Sequence, residues 1–153
     1  MPEDLTMCSP LPDTKWSAGS IRITSRTVRA DEISTRLGIV PDELFELGSL
    51  VSPRNPRSAR RESSVWIRQS GLGNDSELEE HVAALVRLVR DRREELTRLS
   101  AECELELFLG FSSENGQGGC FLPAHLLAEV GGLGLDVVLD LYPPTSEVGV
   151  VRG

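Results

Sequence analysis

Hydrophobic and polar residues alternate most strictly near the end of the chain. In Leu133–Tyr142 (LGLDVVLDLY), Leu135, Val137, Leu139 and Leu141 fall on one side of a two-residue period, and Asp136, Asp140 and Tyr142 on the other. This pattern predicts a strand with one buried and one wet face, placed in the interior of a sheet. Pro123–Gly132, just before it, reads as a short helix. Two earlier stretches repeat the two-residue signal. In Trp16–Thr27, Ile21 and Ile23 oppose Arg22, Thr24 and Arg26; in Cys103–Phe111, Cys103, Leu105, Leu107, Leu109 and Phe111 oppose Glu104, Glu106 and Phe108. Ser64–Ser70, carrying Trp66, is a further strand, closed by the turn Gly71–Asp75.

Between the strands the period lengthens. Asp31–Leu37 places Ile33 and Leu37 four residues apart, the spacing of one helix face. Gly38 follows as a left-handed terminator, and Pro41 prevents continuation. Asp42–Leu47 reads as one more helical turn. Ser76, with Glu79 three residues on, forms a capping-box pattern. The helix after it carries Leu78, Val82, Leu85, Val89, Leu96 and Leu99 in steps of four and three, interrupted at Arg90–Arg93. The interruption, with Val86 and Leu88 widening the stripe, favours one or two core-facing helices over a coiled-coil seam.

These elements predict an α+β fold, with a four-stranded, mixed or antiparallel sheet and helices packed mainly on one face. The specific arrangement expected is ferredoxin-like, with a long helix inserted. Residues 15–143 form the single domain, with 1–14 as a disordered leader and 144–153 as a flexible tail. An open sheet leaves edge strands, so either a monomer or a strand-paired homodimer is compatible with the pattern.

Composition then narrows the partners. The 153 residues carry a net charge of -8, which argues against nucleic acid and anionic membranes. Lys15 is the only lysine beside fifteen arginines, a bias that reads as a GC-rich bacterial coding genome. No segment resembles a signal peptide or spans a bilayer, so a cytoplasmic protein is expected. Cys8, Cys103 and Cys120 have no metal-ligand spacing, and neither a metal nor another cofactor is implied.

Candidate chemistry is sparse. Gly116–Gly119 (GQGG) lacks the P-loop lysine and the dinucleotide spacing, so it reads as a flexible turn. Asp136 and Asp140 lie about 13 Å apart along a strand, too far for paired carboxylate catalysis. His81 and His125 sit on helices without a nucleophile signature near Ser34, Ser112 or Ser113, and read as surface or half-buried residues. One segment has functional pull. Residues 48–63 hold Arg54, Arg57, Arg60 and Arg61, a basic loop in an acidic protein beside Trp66. Together these five residues are the candidate contacts for a phosphate, a carboxylate cluster or an acidic protein surface.

Several landmarks carry a family resemblance. Ile33-Ser34 through Leu37-Gly38-Ile39 with Pro41, then Leu47-Gly48, Trp66, and the ending Leu139-Asp140-Leu141-Tyr142 are arranged in order along the chain. In this it resembles the bacterial domain of unknown function numbered four-two-seven-nine, over roughly residues 17–143. Arg29-Ala30 stands where that family often begins its first helix with an Asp-Pro-like start. The resemblance implies one α+β domain, with no activity or catalytic residues to transfer.

Two functions remain as expectations. One is a non-catalytic interaction protein, such as an immunity-type binder that masks a basic protein by charge complementarity. The other is a small-molecule or anion-binding protein, enzymatic or not, using the arginine loop 54–61 and the charged sheet face.

Overall fold

Strand β1 (Lys15–Ser25) is the axis of the domain. Its odd positions Ser17, Gly19, Ile21, Ile23 and Ser25 are buried, while the even ones from Trp16 to Thr24 are half-buried on the opposite face. The structure is a computed structural model describing residues 15–113 and 119–142. The expected leader, the tail, Cys8 and residues 116–118 of the glycine turn lie outside the described residues.

The remaining strands are β2 (Glu43–Phe45), β3 (Ser64–Gln69), β4 (Cys103–Ser113) and β5 (Asp136–Tyr142). They form a mixed five-stranded sheet in the order β2-β3-β1-β4-β5. All neighbours are antiparallel except β4 and β5, which run parallel. Helices α1 (Ala30–Leu37), α2 (Leu78–Val89), α3 (Arg93–Leu99) and α4 (Ala124–Gly132) complete the described elements. The α+β class therefore holds, with two corrections to the sheet.

The first correction is the extra strand. Asp42–Leu47 is not a helical turn; its centre is β2, held by pairing Leu44 opposite Trp66. Three residues are too few for a two-residue period to declare itself. The second concerns β5, which is an edge strand and not an interior one. Leu135 is buried, but Val137, Leu139 and Leu141 are 42%, 52% and 66% exposed. Their apolar face follows the pleat as expected, yet the helical layer does not extend over it.

That layer packs on the odd face of β1 and β4. Trp66, Ile21, Ile23, Leu107 and Leu109 from the sheet meet Ile33, Leu37, Leu85, Leu96 and Leu99 from the helices. The long apolar stripe is divided as its interruption suggests. A 3-10 turn at Arg90–Arg92 separates α2 from α3, and Arg92 Nε donates to the Leu37 carbonyl at 2.6 Å, satisfying an end of α1. Gly38 adopts the left-handed conformation expected of it, at φ 68. The capping box of α2 is shifted one residue from the Ser76 reading. Glu77 is the cap, and its N–H donates to the Glu80 carboxylate at 2.7 Å.

Helix α1 starts at Arg29, which offers no capping side chain. Its orphan amides are met from a distance instead. Ala30 N and Asp31 N donate to the two Glu46 carboxylate oxygens at 2.7 and 2.9 Å. An anion at this end also suits the helix dipole. Glu46→Ala is therefore expected to destabilise the domain by about 1–2 kcal/mol, near the upper range for a lost cap. A urea unfolding midpoint unchanged from wild type would contradict this account of α1. The remaining tie is Arg36, whose Nε donates to Glu95 at 2.8 Å and joins α1 to α3. That bond holds the Glu95 carboxyl below its ordinary range and raises Arg36.

Candidate functional site

Strand β1 is longer than its neighbour β3, and the difference creates a cleft. Residues Ser20–Ser25 pair with β3, leaving Lys15–Gly19 without a strand on that side. The chain after β3 takes over the vacant edge irregularly. Ser70 N donates to Gly19 O, Ser17 N donates to Asn74 O, both at 3.0 Å, and Ser17 Oγ donates to Ser76 O at 2.6 Å. Between Ser70 and Asn74 the loop bows away from the strand. The space beside it is a cavity of about 370 Å³, within the range of small-molecule sites.

Aromatic rings form the walls on the open sheet face. Trp16 and Tyr142 meet edge to face with centroids 5.2 Å apart, and Phe108 lies further along. Gly110 makes the Trp16 position possible: a Cβ there would stand 2.8 Å from the indole ring. The indole is fixed at its other end by Asn74. With the amide oriented by its neighbours, its oxygen accepts from Trp16 Nε1 at 2.9 Å and its nitrogen donates to Ser17 O at 3.3 Å. Asp140, beside the Tyr142 phenol, pushes its pKa up.

The inner wall contains His81 on α2. It is 1% exposed, correcting the surface or half-buried reading. Its Nδ1 lies 2.6 Å from Ser70 Oγ. That hydroxyl also accepts from Leu72 N at 3.2 Å, so Ser70 ties the ring to the loop after β3. Nε2 itself is buried and has no hydrogen-bond partner. A buried polar atom left unpaired is costly, by about 1–3 kcal/mol. The close approach of α2 depends on Gly19, where an added Cβ would come within 2.9 Å of His81 Cβ.

A larger cavity of about 530 Å³ lies at the other end of the sheet, lined by Thr24, Ser25, Thr27, Ser63, Cys103 and neighbouring residues. None of its side chains is among the buried polar groups without partners, which in the described residues are His81 Nε2 and Arg22 Nε. It offers room without an unmet interaction.

The arginine loop is placed on the far side of the sheet. Arg60 donates to Gly48 O at 2.7 Å, and Arg61 stacks on the Phe45 ring at 4.2 Å. Arg54 and Arg57 are exposed and line none of the cavities described above. Trp66 is fully buried, its indole N–H donating to Ser34 Oγ at 2.9 Å. It supports α1 from inside the core and offers no face to a ligand. The five residues thus do not converge on one pocket.

Other candidates are separated as well. His125 is exposed on α4, and Ser34 is committed to Trp66. Burial raises the Cys103 thiol above its ordinary pKa, which disfavours the reactive thiolate. Among the described residues no group of three or more His, Cys, Asp or Glu is placed to hold a metal ion, and no helix is long and apolar enough to cross a membrane.

The Ser70–His81 pair has no local sequence signature, because its members are eleven residues apart, one just after β3 and the other on α2. A weaker signal was present: His81 stands between Leu78 and Leu85 on the apolar stripe of α2, where a polar residue must find a buried partner.

No curated protein and no solved structure matches this chain. A family model does match, over residues 14–144, and covers all five strands and every described helix. The chain belongs to the family described as the domain of unknown function DUF4279.

Proposed function

We propose that this domain binds a small planar molecule in the cleft beside β1, without transforming it. The observation that carries the reading is His81, a lining residue of an aromatic-sided cavity whose Nε2 has no hydrogen-bond partner. A polar ligand group would relieve it directly or through one water. Trp16, Phe108 and Tyr142 would supply stacking surface. Ser20 and Gln69 add uncharged polar groups at the rim. Binding is favoured over turnover because nothing orients His81 from its Nε2 side, as a triad requires.

Trp16 provides the assay. Its emission should change saturably with at least one member of a panel of small aromatic acids and amides. Ala18→Phe, which fills the cleft from the open face, should abolish the change while retaining the circular dichroism of the fold. A folded wild-type protein that responds to no panel member at millimolar concentration would remove the reading.

The strand order supports a finer fold assignment. With α2 and α3 taken as two halves of one interrupted helix, the chain runs βαββαβ from β1 to β4, with neighbours β2-β3-β1-β4 all antiparallel. We read this unit as ferredoxin-like, with α4 and the parallel strand β5 added at one edge. A second function, binding a protein partner, is favoured by the exposed apolar row Val137, Leu139 and Leu141 on the free strand β5. The charge of -8 suits a basic partner. Retention of a partner by wild type but not by Leu139→Lys protein would separate this reading from the cleft.

A further inference from the structure

Arg22 is the second buried polar group without a partner. It lies at the centre of the open sheet face, its guanidinium carbon 4.2 Å from the centroid of the Phe108 ring. Its Nε is buried and makes no hydrogen bond. Glu106 stands directly opposite it in the β1–β4 register, on the same face and within reach for a cross-strand ion pair. Glu104, Asp136 and Asp140 share that face, yet Arg22 forms no salt bridge with any of them. The guanidinium is stacked on Phe108 instead.

Phe108 connects this arginine to the cleft, because the same ring lines the cavity. Arg22 is two residues from Ser20, another lining residue, so it is placed about 7 Å along the strand. That separation is close to the length of a benzene ring bearing one carboxylate. A planar guanidinium already held against an aromatic surface loses little freedom on gripping a carboxylate with both arms.

We propose that the molecule taken by this cleft is an aromatic carboxylate, its ring lying among Trp16, Phe108 and Tyr142 and its acid group docked on Arg22. The inference rests on the small-molecule reading and specifies the ligand class. It gives the two unpaired groups separate tasks: Arg22 receives the acid, while His81 stands at the inner end of the cleft.

Benzoate and benzamide are suitable probes, alike in shape and different in charge. Titration by Trp16 emission and by calorimetry is expected to show benzoate binding at least tenfold more tightly than benzamide. Arg22→Gln should bring benzoate down to the benzamide level and leave benzamide unchanged. Arg22→Lys, which keeps the charge without the fork, should restore only part of the preference. Equal binding of both probes to wild type, or benzoate affinity unaffected in Arg22→Gln, would overturn the acid-docking proposal while leaving the cleft as a binding site. If neither these probes nor the wider panel binds, the cleft reading fails and this proposal falls with it.

Discussion

Trp66→Ala is expected to cost about 3–5 kcal/mol, the range for deleting a fully buried large aromatic side chain. The indole is 0% exposed and lies in the core against α1. It also places its N–H on Ser34 Oγ at 2.9 Å, so truncation removes both packing and a hydrogen bond. A domain of this kind has about 5–15 kcal/mol of total stability. The variant should therefore unfold at much lower denaturant concentration, with α1 and β2 loosened first because both lean on β3. Ser34→Ala separates the two contributions. It keeps the ring but leaves a buried donor unpaired, at about 1–3 kcal/mol. A Trp66→Ala protein within 1 kcal/mol of wild type would show that Trp66 is not the support described.

Gly19→Val is the second large effect, and it tests the cleft through its floor. The position is strand, where a valine would ordinarily be welcome. Here its Cβ would meet His81 Cβ at 2.9 Å and the Leu85 and Leu109 methyls at 3.3 Å. His81 Cβ is fixed to the helix backbone and cannot swing aside, so α2 and β1 must separate. Overpacking of this kind costs about 1–3 kcal/mol, and a branched side chain falls at the upper end. Movement of α2 also pulls His81 from Ser70. The expected result is a lower unfolding midpoint together with loss of the Trp16 response. Gly131→Ala serves as the control. It is helical with open space around it, and should be neutral or stabilising by about 0.5–1 kcal/mol. If Gly19→Val matched that control, the packing of α2 against β1 would have to be reconsidered.

The two variants mark different degrees of legibility. Trp66 lies in a stretch whose strand character is evident, and the core identity of Ile21, Ile23, Leu105, Leu107, Leu109, Leu85 and Leu96 follows from period alone. Helix ends were also legible where one residue carries the geometry, as at Gly38. The capping of α1 was not, because Glu46 reaches back from sixteen residues away and no local rule anticipates it. Strand β2 was missed for a similar reason. Its existence depends on a partner strand, since three residues hold too little pattern of their own.

Local pattern fixes which face of a strand is apolar, and it did so for Leu133–Tyr142 and the other long strands. It also fixes where the helical stripe breaks and which charges cannot be buried. Those properties depend on neighbours within a few residues, and periodicity records them. Whether a face is then covered depends on the order of strands and the extent of the helical layer. So β5 carries an interior strand's alternation at an exposed edge. The cleft has the same origin: β1 outruns β3, and folding brings Ser70 to His81 and Arg22 to Phe108 across separate elements. Unpaired buried polar atoms arise from such long-range placement, because burial removes water from groups that the local sequence gives no partner.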